Sequence, residues 1–297
     1  MKQAARKIVM FFMIIGFIFG LSILLYPLVS NAWNRMREER LFQAYLEKNA
    51  AESSIDYEAE WAKARSYNEG LQPIILPDSF VAATTPYTED EIYTACLNLE
   101  GNGLMGYIVI PKIDVKVPIY HSTEEAILEK GAGHLQGSSL PVGGESTHAV
   151  LAAHRGLPSA SLFTDLDQLQ EGDQFYLYIL DDILAYEVDQ IEVVKPEETD
   201  ALSVERGKDQ VTLLTCTPYG INTHRLLVRG KRIPYDEQAA EDQGRHKAKG
   251  MNTNYLFWVL IGLGSAGLFM IVVYIIRRLI RRKRIRRRKN EKIHKKE

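Results

Sequence analysis

Cys216 and Arg225 stand nine positions apart in the stretch VTLLTCTPYGINTHRLLVR, Val211 to Arg229, and together they could carry covalent chemistry. A thiol with a pKa of about 8.5 is only a few per cent thiolate at neutral pH, so a working cysteine needs a neighbouring cation or base. Arg225 could provide the cation. For the base the chain offers seven histidines. His154, in THAVLAAHRG, is the most suggestive because it too ends an apolar run just ahead of a Gly and Pro loop, and strand ends are where loops expose side chains for chemistry. A lone cysteine is more often a small buried hydrophobe than a nucleophile; the company Cys216 keeps is what raises it above that default.

These side chains need a scaffold. Val211, Leu213 and Thr215 alternate with Thr212, Leu214 and Cys216, the period of a strand, and Thr217-Pro218-Tyr219-Gly220 ends it with turn chemistry. A returning strand at Arg225 to Val228 would bring Arg225 beside Cys216, since neighbouring strands lie about 5 Å apart. Further strand-like runs occupy Tyr107 to Ile110, Val115 to Ile119, Ala149 to Ala153, Phe175 to Ile179 and Ala185 to Val194, with turn signals at Gly143-Gly144 and Asp181-Asp182 between them. Seven or so short strands with few long helices predict a closed β-barrel or a sandwich.

The segments TLLTC (Thr212 to Cys216), LAAHRG around His154 and HRLLVRG containing Arg225 resemble the signatures of sortases, the cell-surface transpeptidases of Gram-positive bacteria. From about Tyr67 to Arg232 the chain looks like the pilin-polymerising class C members, through GNGLMGYIVIPKI, GHLQGSSLPVGG and TPYGINTHRLLVRGKR. The resemblance implies a mainly β fold, an eight-stranded barrel with short helices, with Cys216, His154 and Arg225 as the catalytic residues. It also implies a substrate with an LPxTG sorting signal and, as acceptor, a lysine amine of another pilin. Leu214, Thr215 and His134, lying in or beside the matched motifs, are expected to line the substrate cleft. Class C sortases carry a lid with an Asp-Pro-aromatic motif over the cleft. Here Asp78-Ser79-Phe80 stands in that place, so Asp78 is expected to pair with Arg225 and Phe80 to cover Cys216. Serine at the proline position leaves the loop less rigid.

The chain of 297 residues is 46% hydrophobic and 25% charged, enough for one main folded domain with appendages. Its charge is unevenly placed. The whole carries -2, residues 277 to 297 hold 13 Lys and Arg against 2 Glu, and Lys2, Arg6 and Lys7 add three more, which leaves the stretch between at about -16. Basic ends around an acidic middle point to a membrane protein and away from nucleic acid, whose binders carry their positive charge on the folded domain. Ile8 to Val29 and Tyr255 to Ile276 are apolar runs of 22 residues each, long enough to span a bilayer, and their basic outer flanks place both termini in the cytoplasm. Ser30-Asn31-Ala32 resembles a signal-peptidase site, although the length of the run favours an anchor.

The expected organisation is an N-terminal span over 1–30, a helical segment with lid loop over 31–100, and a catalytic barrel over 101–235. A polar tether over 236–254, a second span over 255–276 and a basic tail over 277–297 complete it. Cys96, in YTACLNL, reads as a core residue and not as a disulfide partner of Cys216. His121, like His134, is more often a satisfied structural histidine than a catalytic one. The histidines lack ligand spacing with cysteine or carboxylate and no calcium-loop pattern occurs, so neither a metal nor another cofactor is expected. The rival readings are a housekeeping sortase that attaches proteins to peptidoglycan, a cysteine protease in which water resolves the thioacyl, and a non-enzymatic pilus-assembly or adhesion protein. The last would have to lack one of the three catalytic residues.

Overall fold

The computed structural model describes residues 2–51, 55–71, 80, 90–157, 160–245, 259–267, 270–272, 274–275 and 278. Two units are resolved, Met1–Lys249 and Gly250–Glu297. In the second, residues 259–267 are helical within a short apolar helix, Val259–Val272.

In the first unit eight strands close into a barrel in the order β1-β2-β3-β4-β7-β8-β6-β5. They are β1 (Leu104–Ile110), β2 (Val115–His121), β3 (Ala132–His134), β4 (Thr147–Ala152), β5 (Gln174–Ile179), β6 (Asp182–Val194), β7 (Asp209–Thr217) and β8 (His224–Ile233). Seven were legible from alternation. The eighth, β3, is a three-residue strand pairing β2 in parallel and β4 antiparallel, too short to show a period.

The two faces of each strand go to different places, as the pleat requires. Val211, Leu213, Ala149, Leu151, Leu226 and Val228 point into the barrel with Ile108, Phe175 and Leu177. Leu214, Val150, Ala152, Leu227 and Leu135, one position out of phase, form a second cluster on the outer wall of β4, β7 and β8. A third cluster covers the outer wall of β1, β5 and β6, where Phe42 meets Tyr107, Val109, Tyr176 and Ala185.

Phe42 belongs to α1 (Lys2–Ala51), an unbroken helix that joins the first apolar run to the barrel. Ser30-Asn31-Ala32 lies within this continuous helix. Ile14–Asn49 is long and apolar enough to cross a membrane. α2 (Tyr57–Gly70) ends at a glycine and α3 (Glu91–Ala95) is one short turn. Cys96 caps α3 and is fully buried in the core, where burial pushes its thiol pKa up; neither described cysteine is in a disulfide. α4 (Glu125–Leu128) precedes β3. Within the expected tether lies α5 (Glu237–Arg245), capped by Asp236, whose carboxylate accepts from the backbone N–H groups of Gln238 and Ala239.

Candidate active site

β7 presents Cys216 one residue before its end, in direct cross-strand register with Arg225 at the start of β8. Such paired residues hold their Cβ atoms about 5 Å apart. β4 runs parallel to β7 with Ala152 opposite Leu214, and the pairing continues through the Ala153 N–H, which donates to the Leu214 carbonyl at 3.1 Å. His154 and Cys216 each lie two residues beyond that pair, on the outward phase. His154, Cys216 and Arg225 thus lie at the ends of three adjacent strands at one rim. Cys216 is 6% and Arg225 7% exposed, so a neighbouring cation is weakly screened from the thiol.

The surroundings fix each group. Arg225 Nη1 donates to the carbonyls of Asn222 and His224 at 3.1 and 3.0 Å, which aims the head group along the β7–β8 turn. His154 Nε2 lies 3.1 Å from Glu125 Oε1. The ring of Phe80 contacts both, its centroid 5.6 Å from the His154 ring and 5.3 Å from the Arg225 guanidinium carbon, and it packs on the apolar outer cluster that holds Leu214. Asp78, the other expected lid residue, lies outside the described residues.

Two neighbours escaped sequence reasoning. Arg155 is buried beside His154, and its Nη1 donates to the Thr217 hydroxyl and its Nε to the Thr164 carbonyl, both at 3.1 Å, while its remaining nitrogen pairs with Asp167. The residue after the histidine is thereby tied to the residue after the cysteine. Its place in the HRG triplet was the available signal. Glu125, on a four-residue helix, gave none. Gly156 has φ +87°, and a Cβ there would meet the Tyr219 ring at 2.8 Å, so only glycine lets the loops after His154 and Cys216 close on one another.

Two residues expected to line the cleft do not. Thr215 points inward and donates its hydroxyl to the Ala153 carbonyl at 2.7 Å. His134 is wholly buried. Its Nε2 lies 2.8 Å from the Ser139 carbonyl and its Nδ1 3.0 Å from the Tyr93 hydroxyl, a neutral imidazole with both nitrogens engaged. Burial holds its pKa down at about 4 despite the Ser139 carbonyl. His121 is likewise held low by burial, its ring nitrogens 3.0 and 3.1 Å from the Gly103 and Tyr93 carbonyls. Among the described residues no group of three His, Cys, Asp or Glu side chains is placed to hold a metal.

A closed barrel with a thiol, an imidazole and a guanidinium gathered at one rim is the equipment of an enzyme that works through a covalent thioacyl. The Sortase domain family model matches residues 108–233. Sortase A of Bacillus anthracis is 30% identical over 154 residues, 52% of this chain and 71% of that protein. Sortase D of Bacillus subtilis is 31% identical over 131 residues, 43% of this chain and 63% of that protein's length. The crystal structure of Streptococcus pneumoniae Sortase C, described for its pilin substrate specificity, superposes with TM-score 0.60 at 46% identity, covering 66% of this chain and 97% of that one. The chain belongs to the sortase family, whose members are cysteine transpeptidases.

Proposed function

We propose that this protein is a membrane-anchored class C sortase that cleaves an LPxTG-type signal between Thr and Gly and joins the threonine to a pilin lysine. The observation that supports this reading is the Phe80 ring, in contact with both the His154 ring and the Arg225 guanidinium and packed on the apolar wall. A polymerising enzyme has use for a site that stays covered until a signal displaces the cap.

In this mechanism the signal's apolar residues replace Phe80 over Leu214, Val150 and Leu227, and the thiolate of Cys216 attacks the threonine carbonyl carbon. Arg225 steadies the thiolate and then the negative oxygen of the tetrahedral intermediate. His154 gives a proton to the departing glycine nitrogen as the C–N bond breaks, which leaves the thioacyl. It then takes a proton from the incoming lysine amine as the isopeptide bond forms and the thiolate departs. By charge placement, both termini are cytoplasmic and residues 31–254 lie outside, with the apolar run near the C-terminus as a second span.

The test is to incubate the full chain with an LPxTG peptide and, separately, a lysine-bearing pilin segment, a peptidoglycan-type amine or water alone, and to identify the products by mass. A thioacyl adduct and preferential isopeptide product are expected, and Cys216→Ala should form neither while keeping the wild-type unfolding midpoint. Preference for the peptidoglycan amine would make it a housekeeping sortase; hydrolysis alone would make it a protease.

A further inference from the structure

Both α1 and α5 touch the barrel at the rim that carries the catalytic residues. β1, β4 and β7 run in one direction, so the β1–β2 turn at 111–114 lies at the same rim as His154, Cys216 and Arg225. α1 meets the barrel first there, where Arg35 pairs with Asp114. Successive helix positions then make contact farther along the wall. Glu39 accepts from Lys116 at 2.8 Å, Phe42 lies edge-on to Tyr107 and Tyr178 at 5.3 and 5.0 Å, and Asn49 donates to the Leu180 carbonyl at the opposite rim. Positions 35, 39, 42 and 49 fall on one helix face, so the helix is pinned along the barrel's whole length. α5 returns the chain from β8 to the same turn, with Gly244 against Pro111.

The apolar part of α1 therefore projects beyond the catalytic rim. Val29, the end of the apolar run, lies only six positions before Arg35, a rise of about 9 Å. No glycine or proline interrupts the chain from Leu28 to Ala51, so the helix has none of the usual causes of a kink there.

We propose that α1 is a rigid ruler: it holds the catalytic rim facing the bilayer at a fixed height, and so selects substrates tethered to the same membrane by the spacing between their scissile bond and their own membrane span. This rests on α1 spanning the bilayer and on the acyl-transfer reading of the rim. A soluble chain could present its signal at any height. A tethered one presents it only where its spacer reaches, so a fixed site imposes an optimum spacer length.

The experiment uses the full chain in proteoliposomes, with and without a seven-residue alanine-rich helical insert between Ala32 and Trp33. Seven residues make nearly two turns and raise the barrel by about 10 Å while keeping its facing within about 20°. Energy transfer to a lipid-surface acceptor from a dye at Ile221→Cys, in a Cys96→Ala, Cys216→Ala background, reads the height of the rim without needing activity. Asp182→Cys marks the opposite rim. The catalytic-rim dye should lie nearer the bilayer than the opposite one, and the insert should move both outward by about 10 Å. With cysteines intact, tethered LPxTG substrates of graded spacer length should show an optimum that lengthens by about three extended residues in the insert, while the rate on a soluble LPxTG peptide stays the same. A Gly-Ser insert of equal length should flatten the optimum. A catalytic rim farther from the bilayer than the opposite rim, or one spacer optimum shared by the wild type and the helical insert, overturns the ruler. Failure of the wild type to acylate on soluble peptide refutes the acyl-transfer reading instead, and the energy-transfer distances still decide the orientation.

Discussion

The barrel has two apolar outer walls, and they are covered in different ways. Over β1, β5 and β6 the cover is a continuous helix: Phe42 is buried, flanked by Tyr45 and Leu46, with Ala240 of α5 joining from the other side. Over β4, β7 and β8, at the catalytic end, the described cover includes a single ring, Phe80, held by contacts to His154 and Arg225. Apolar burial stabilises both, at roughly 25 cal/mol per Å². The first cover is fastened at several points along the barrel and cannot leave without undocking a helix. The second, in the proposed mechanism, is exchanged for a ligand of similar character. On that proposal, stability resides in one wall and access in the other.

The contrast breaks most visibly at Phe42. Phe42→Ala should cost about 3 to 5 kcal/mol of stability, read as a fall in the urea midpoint of the full chain in detergent, with the turnover of the folded fraction unchanged. A loss of turnover in fully folded protein would mean that the helix-covered wall also serves the chemistry.

At the rim the balance reverses. Arg225→Lys keeps the charge and loses the planar fork, and one misplaced oxyanion donor costs about 100-fold to 1000-fold in kcat. The midpoint should move by less than about 1 kcal/mol. Activity within about twofold of wild type would make Arg225 a structural residue.

The two kinds of histidine sharpen the comparison through pH. His134 has its pKa lowered from 6.5 to about 4 by burial, so the unfolded chain takes up this proton first as pH falls. Its contribution is complete above about pH 6.5 and is lost progressively down to about pH 4, by about 3 kcal/mol at 1.36 kcal/mol per unit. His148 and His121 are lowered in the same direction by burial. Urea midpoints measured from pH 7.5 to 4.5 should fall, and His134→Asn should remove part of the slope. An identical slope in that variant would show that the acid sensitivity arises elsewhere.

The smallest expected effect is at the exchangeable cover. Phe80→Ala removes one aromatic contact to a cation and some apolar burial, worth about 1 to 2 kcal/mol, and should speed iodoacetamide alkylation of Cys216 by roughly tenfold. Equal rates would show that the ring does not occlude the thiol.

What the sequence determined by itself was whatever is local and periodic. Alternation from Val211 to Thr215 and turn residues from Thr217 to Gly220 set β7 and its end, and the same logic located six other strands. Three short motifs in order carried the family. The class of residue at Cys216, His154 and Arg225 was legible because each sits where an apolar run meets a loop. Tertiary structure decided what periodicity cannot encode. β3 exists because β2 and β4 supply its hydrogen bonds, and three residues have no pattern of their own. His134 and His154 look alike as letters beside conspicuous motifs, yet one is sealed beneath Tyr93 and Ser139 and the other stands at the rim. Thr215 and Leu214, adjacent in the chain, face opposite ways, so only one can meet a ligand. Glu125 and Arg155 reach the site from a four-residue helix and from a loop, through side-chain contacts 29 and 62 residues away in sequence. Such partnerships depend on barrel closure and on the parallel pairing of β4 with β7, which brings distant strand ends to one rim.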